Sequence, residues 1–533
     1  MRSPSMFESS PRRRFIAGMF TAGAAAAPAA AAPQTPSGAL NVRDFGAVPD
    51  GVSLTTAALQ QAIDACARAG GGTVYFPAGR YLSGTLFLKS RVTVHLAAGA
   101  TLVGSKNLSD YPVTVAALRS YTDNYTDKSL IYAENVEDVA IHGRGAIDGQ
   151  GAAFKGPYKV RPYMIRVINC RNVSVRDLTI VDSPMWVQHY LACENVIIDG
   201  IAVHSRVNGN NDGIDIDGCQ KVRIANCEIS SGDDAIVLKS TLDRPCRDVS
   251  ITNCVLSTAC NALKLGTESN GGFENIVISN CTIYDTRLSG IALELVDGGV
   301  EDRVIVSNIT MNNVSNPIFI RLGNRARPFQ EGGARPGMGK LRNIIISNVL
   351  ATGADGAGCS ITGLAGHPAE NITLENIRLS FRGGGTRKDA AREVPEEAEK
   401  YPEYQMFGVL PAYGFYCRHV RDLTLRNVHT AFATPDERPA LVADDVENLK
   451  LLQCDGFTPP AAGPAIRLVN VKGAFVHGCR APAGTRTFLR VEGAATANVC
   501  LMANDLSAAE KAVETADGVR REAVILEGNR GAA

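Results

Sequence analysis

Asn172-Val173-Ser174-Val175, Asn195-Val196-Ile197-Ile198, Lys221-Val222-Arg223-Ile224, Asp248-Val249-Ser250-Ile251 and Asn275-Ile276-Val277-Ile278 are five copies of one phrase. A polar residue leads, and two aliphatic residues follow with one residue between them. The copies start 23, 26, 27 and 27 residues apart. Further copies start at Asp302-Arg303-Val304, Asn343-Ile344, Asn371-Ile372, Asp422-Leu423 and Asn448-Leu449. A fixed period of this length signals a solenoid. Each copy alternates apolar and polar residues, which is the period of a β-strand. Glycine, asparagine and aspartate punctuate the strands. No amphipathic helix recurs between them, which argues against βαβ units, and the leucine framework of leucine-rich repeats is absent. About three short strands per repeat make one coil of a right-handed parallel β-helix, an all-β fold whose coils stack about 4.8 Å apart.

Outward from this core, wider gaps leave room for inserted loops near 323–341 and 382–416. The second loop is charged from Arg382 to Tyr404 and then turns aromatic through Met406-Phe407-Gly408-Val409-Leu410-Pro411-Ala412-Tyr413-Gly414-Phe415-Tyr416. Packing on the coil exterior and walling a cleft both fit it. Near the N-terminus, Thr55–Ala69 has helical apolar spacing. A helix there would cap the open end of the solenoid, whose strand edges are otherwise unpaired. Residues 33–533 thus read as one β-helix domain. Of 14 cysteines, Cys227, Cys254 and Cys281 each follow an asparagine and recur every 27 residues, which stacks them as a buried ladder. Cys246 and Cys260 lie elsewhere on the repeat, and the sequence leaves open a bond between them.

Ser10-Pro11-Arg12-Arg13-Arg14-Phe15-Ile16, followed by an alanine-rich apolar stretch to Ala32, resembles a twin-arginine export signal. The expectation is a signal peptide over 1–32 and a periplasmic or secreted product. Lysine plus arginine equals aspartate plus glutamate at 54 each, so no global charge favours nucleic acid or an anionic membrane. The 1–32 segment holds four arginines and one glutamate, so its removal takes the chain from 0 to −3. No later apolar run approaches the roughly 20 residues of a membrane span. A monomer without cofactor or metal is expected.

Chemistry concentrates in Asn210-Asn211-Asp212-Gly213-Ile214-Asp215 and, 21 residues after Asp212, in Gly232-Asp233-Asp234. That interval is nearly one coil, so Asp212, Asp233 and Asp234 belong on one face of neighbouring coils. Like charges gathered this way are costly unless some carboxyls keep protons, and active sites exploit that. Glycoside hydrolysis needs one protonated carboxyl for the leaving oxygen and one carboxylate to activate water. Turn capping or cation binding is the plainer use of single aspartates, but two clusters in register are harder to assign to turns. By spacing, His189 falls one coil before Asp212, and Asn261 lies 27 residues after Asp234. Lys239, Lys264 and Glu268 follow the motifs on the same coils. Trp186 reads as core or as a sugar platform.

Asn41–Pro77, Ser183–His189 and the two aspartate motifs resemble glycoside hydrolase family 28, the polygalacturonase-like enzymes. The family pattern is Asn-Thr-Asp-Gly, Gly-Asp-Asp, Gly-His-Gly and Arg-Ile-Lys. The resemblance implies Asp233 as general acid, Asp212 and Asp234 as the pair that activates water, and inversion at the anomeric carbon. The second motif is intact, and the first carries Asn211 where the family has threonine. The last two depart: Asn261 stands where the family has histidine, and Ala292-Leu293-Glu294 where it has Arg-Ile-Lys. Expected substrate contacts are Asn210, Asn261, Lys264, Glu268, His189, Glu294 and Arg321. The altered motifs favour rhamnogalacturonan or an exo-type pectic substrate over plain polygalacturonan. A β-helix lyase or epimerase and a non-catalytic carbohydrate-binding surface protein are the alternatives. The first needs a base beside C5 and cationic help for the carboxylate; the second needs no aspartates.

Overall fold

The computed structural model describes residues 38–531. The expected export signal lies outside them. The described chain forms a right-handed parallel β-helix. The repeated phrase is its clearest column. Val173, Val196, Val222, Val249, Ile276, Val304, Ile344, Ile372, Leu423 and Leu449 are successive register partners in parallel strands. All ten are buried. Each such aliphatic side chain contributes roughly 1.5–3 kcal/mol by leaving water.

The polar residue just before the first aliphatic of each phrase also has a physical reason. Asn172, Asn195, Lys221, Asp248, Asn275, Arg303, Asn343, Asn371, Asp422 and Asn448 all have φ between 50° and 60°. Asparagine and aspartate tolerate this left-handed region best among residues with a side chain. Their amides also bond from coil to coil, as Asn195 Nδ2 to Asn172 Oδ1 at 2.8 Å and Asn371 Nδ2 to Asn343 Oδ1 at 2.7 Å. The sequence period is therefore a turn requirement as much as a core requirement.

The helix Thr56–Arg68 lies at the N-terminal end and buries Leu59, Ala62, Ile63 and Cys66. Cys227, Cys254 and Cys281 stack in register as buried neighbours. All 14 cysteines are free. Cys246 is buried with its thiol donating to the Ile216 and Lys239 carbonyls, whereas Cys260 sits beside Asp233 and Asp234, so these two do not pair.

The inserted stretches interrupt the coils between the strands Val300–Leu322 and Lys340–Ala354, and again between Ala369–Gly383 and Phe415–Thr434. The second insertion folds back over the outer face of a sheet. Its Val394, Tyr404, Met406, Phe407, Leu410 and Ala412 form a small core with Phe319, Tyr416 and Val442 from the strands.

Candidate active site

The site is built on the outward positions of one stack of strands. In the strand Ile214–Asp217 the isoleucines face inward, which turns Asp215 and Asp217 outward. The outward column runs Arg166, His189, Asp215, Val237, Lys264, Ala292, Phe319. Asp212, Asp233 and Asp234 come from the turns that lead into these strands. Asp212 is buried, and Asp233 is half-buried. A thiol joins the cluster: one carboxylate oxygen each from Asp233 and Asp234, and Cys260 Sγ, lie within 4.8 Å of one another.

The neighbours divide the proton affinities of the three aspartates. Asp234 Oδ1 accepts from Asn261 N at 3.1 Å and Nδ2 at 3.0 Å, and its Oδ2 lies 3.2 Å from Lys264 Nζ. Burial works against its charge, yet Lys264 and then Lys239 hold its pKa below the usual carboxylate range. Asp233 is moved the other way, first by burial and then by the Asp234 charge beside it. Its Oδ1 accepts from Asp234 N at 3.0 Å and its Oδ2 from Asn210 Nδ2 at 3.4 Å. Asp212 is pushed well up by burial and by Asp215 and Asp233, with Lys239 Nζ 3.9 Å from its Oδ2. One carboxyl kept protonated beside one kept ionised is the pairing that acid–base hydrolysis requires. The Cys260 thiol stays protonated through burial and the two aspartates, so it acts as a weak donor.

Lys239 and Lys264 are buried and fully engaged. Lys239 Nζ lies 3.6 Å from Asp215 Oδ1 and 3.3 Å from Glu268 Oε2, and stands 4.8 Å from the Trp186 ring centre. Lys264 Nζ lies 3.5 Å from Glu294 Oε2. Glu268 also takes Arg327 Nη2 at 2.6 Å. Asn210, Asn261 and Lys264 thus gather at the aspartates, and Glu268 joins them through Lys239.

Three expected substrate contacts have other partners. His189 has no exposed surface; its Nε2 meets Asp217 Oδ2 at 3.2 Å, and its ring stacks on Tyr163. Glu294 is equally covered and sits beneath Lys264, accepting from Thr267 Oγ1 at 3.3 Å. Arg321 is also covered, and its guanidinium donates to the carbonyls of Gly363, Glu396 and Glu397. It fastens the second insertion to the coil. Coil spacing, motif position and charge put these residues near the site, but inserted chain and neighbouring side chains cover that face.

Two acids were missed. Asp215 had a signal, since it alternates with the inward Ile214 and Ile216. It is buried, neither of its carboxylate oxygens has a hydrogen-bond partner, and burial pushes its pKa well up with Lys239 opposing at 3.6 Å. Glu403 had none. It arrives on the second insertion, 3.7 Å from Lys264 Nζ. Tyr401 comes with it, half exposed, its ring centre 5.7 Å from Lys264 Nζ.

The chain matches the model of Glycosyl hydrolases family 28 over residues 66–399, more than half of its 533. It belongs to that family. A Vitis vinifera protein named "Probable polygalacturonase" is 38% identical to the family 28 chain over 218 residues, 38% of this chain and 44% of that protein. "Exo-poly-alpha-D-galacturonosidase" of Dickeya chrysanthemi is 29% identical over 251 residues, 37% and 41% of the two chains. These matches span less than half of either relative's length. The hyperthermoactive exopolygalacturonase of Thermotoga maritima superposes with a TM-score of 0.56 at 25% identity, over 66% of this chain and 88% of that one. No helix among the described residues is long and apolar enough to cross a membrane.

Proposed function

We propose that this family 28 chain is an exported, inverting glycoside hydrolase that removes residues from the ends of pectic chains. The carrying observation is the split among three clustered carboxyls: Asp233 held toward its protonated form, Asp234 held ionised by Lys264 and Lys239. Asp233 protonates the leaving oxygen. Asp234 deprotonates the attacking water, and Asp212, itself held toward its protonated form by burial, helps to orient it. Proton transfer of this kind contributes typically 10²–10⁴-fold.

End-on cleavage follows from the walls. Beyond Lys264 the outward column continues through Ala292, Phe319, Ser360, Tyr416 and Val442. All five are buried, and Phe319, Tyr416 and Val442 pack in one core with the second insertion. A polymer has no open track along that direction. On the other side, Arg166 is buried under the segment that carries Asp123 and Thr126. The names of the Dickeya and Thermotoga relatives, both exo-acting, support the same reading.

The cations near Asp234 are already taken, which favours an uncharged sugar beside it. Lys239 meets Asp212, Asp215 and Glu268, Lys264 meets Asp234, Glu294 and Glu403, and Arg325 and Arg327 meet Glu268, with Arg325 also shared with Asp297. A uronate there adds a carboxylate with no spare cation to meet it. Rhamnogalacturonan ends fit better than polygalacturonan ends. Reducing-sugar release from the two polymers tests this: faster release from rhamnogalacturonan is expected, and faster turnover of polygalacturonate would sink the preference. Inversion has its own check. Early proton spectra of the digest are expected to contain the inverted anomer first; the retained anomer appearing first contradicts it.

A further inference from the structure

Glu403 lies 142 residues from Asn261 in sequence, yet Asn261 Nδ2 is 3.2 Å from its Oε1 and 3.3 Å from its Oε2. The same nitrogen is 3.0 Å from Asp234 Oδ1. A side-chain amide has two N–H bonds, so one serves each carboxylate. The amide cannot turn away, because Asn261 Oδ1 accepts from Ser289 N at 2.9 Å. Lys264 is shared in the same manner, 3.2 Å from Asp234 and 3.7 Å from Glu403. Glu403 is also held from its own side. Its neighbour Tyr404 is buried and donates from Oη to Asp355 Oδ2 at 2.6 Å, and Lys400 Nζ donates to the Met406 carbonyl at 3.0 Å. The Glu403 side chain keeps 21% of its surface exposed, so it borders the cleft.

We propose that Glu403 is a positioning residue for the acid–base centre, competing with Asp234 for the Asn261 amide and the Lys264 ammonium and thereby setting the basicity of Asp234. The centre is then complete only when the second insertion is docked. This rests on the reading of Asp234 as the water-activating base. Burial raises the Glu403 pKa, with Lys264 opposing and Asp234 and Asp233 adding to it. The other charged or titratable groups facing the pair are Glu294, Cys260, Tyr401, Lys239, Asp212 and Asp215. None of them bridges the two carboxylates as Asn261 and Lys264 do. A positioning carboxylate also explains why asparagine can stand at the family's histidine position: the titratable group is supplied from the insertion.

The test uses the full-length chain and Glu403→Gln, which keeps the shape and removes the charge. With carboxyl-¹³C aspartate, the Asp234 resonance is assigned by its loss in Asp234→Asn and titrated. Glu403 is held toward its protonated form and Asp234 toward its ionised form, so the pair takes its first proton at Glu403. The wild-type Asp234 resonance is expected to shift at that step as well as at its own, whereas Glu403→Gln removes the first step. On the pectic oligosaccharide that the wild type cleaves fastest, the acid limb of kcat/KM moves to lower pH and kcat falls, while KM holds. A purely structural Glu403 would lower Tm and leave the titration and the pH profile alone; that result overturns the proposal. If the wild type cleaves nothing, the hydrolase reading fails, yet the Asp234 titration still decides the coupling. Glu403→Asp, which retains the carboxyl on a shorter stem, is expected to restore the first titration step in part.

Discussion

Replacing Asp233 with asparagine is expected to lower kcat by about 10²–10⁴-fold while leaving the fold intact. Asp233 is half-buried and caps no strand column, so its amide isostere fits the same space. The change removes the one proton that burial and the Asp234 charge keep on this side chain. The loss should depend on the leaving group. A natural sugar leaving group needs that proton; an aryl glycoside with an acidic phenol needs it little. The ratio of the two rates is therefore expected to collapse toward the aryl substrate in Asp233→Asn. It should not do so in Asp234→Asn, which loses the base for both. The pH profile gives the same distinction. Activity in the wild type falls as pH rises through the raised Asp233 pKa, and the variant lacks that limb. Unchanged turnover of the natural substrate would remove Asp233 from the acid role.

Replacing Glu301 with glutamine is expected to stabilise the chain at alkaline pH and change little in acid. Glu301 faces the inside of the coil between Phe273 and Leu341, its register partners. It has no exposed surface, and neither carboxylate oxygen has a hydrogen-bond partner. Burial alone raises its pKa from 4.5 to about 8. The folded chain thus binds this proton more tightly than the unfolded chain does. Its favourable contribution is complete below pH 4.5 and is lost as pH climbs to about 8. Linkage puts the whole change near 5 kcal/mol, at about 1.4 kcal/mol for each tenfold in proton affinity. The wild-type Tm should fall across that window and the Glu301→Gln Tm should fall much less. Parallel Tm curves for the two proteins would show that water or a rearranged partner reaches this carboxyl.

The coil architecture was legible because two independent physical demands repeat together. Valine or isoleucine is needed inside, and asparagine or aspartate is needed where φ is positive, so each copy carries both marks. The aspartate cluster was legible for a related reason: spacing near one coil becomes adjacency in space. Strand alternation also contained Asp215, although His189, Glu294 and Arg321 show its weakness. Alternation says which side of a sheet a residue faces; it does not say whether solvent or inserted chain lies there. Arg321 faces outward and is covered by the carbonyls of Glu396 and Glu397. Glu403 was illegible because nothing periodic places an insertion. Its position is set by apolar contacts of Tyr404, Met406 and Phe407 that no local pattern encodes.

The most direct measurement is product analysis from the earliest turnover of rhamnogalacturonan and polygalacturonate, with and without chelator. The expected result is release of saturated single sugars from chain ends, unaffected by chelator and abolished in Asp233→Asn. Unsaturated, ultraviolet-absorbing ends would instead mark a lyase. No release from any pectic polymer would leave a binding protein, and either result would contradict hydrolysis by the Asp212, Asp233 and Asp234 cluster.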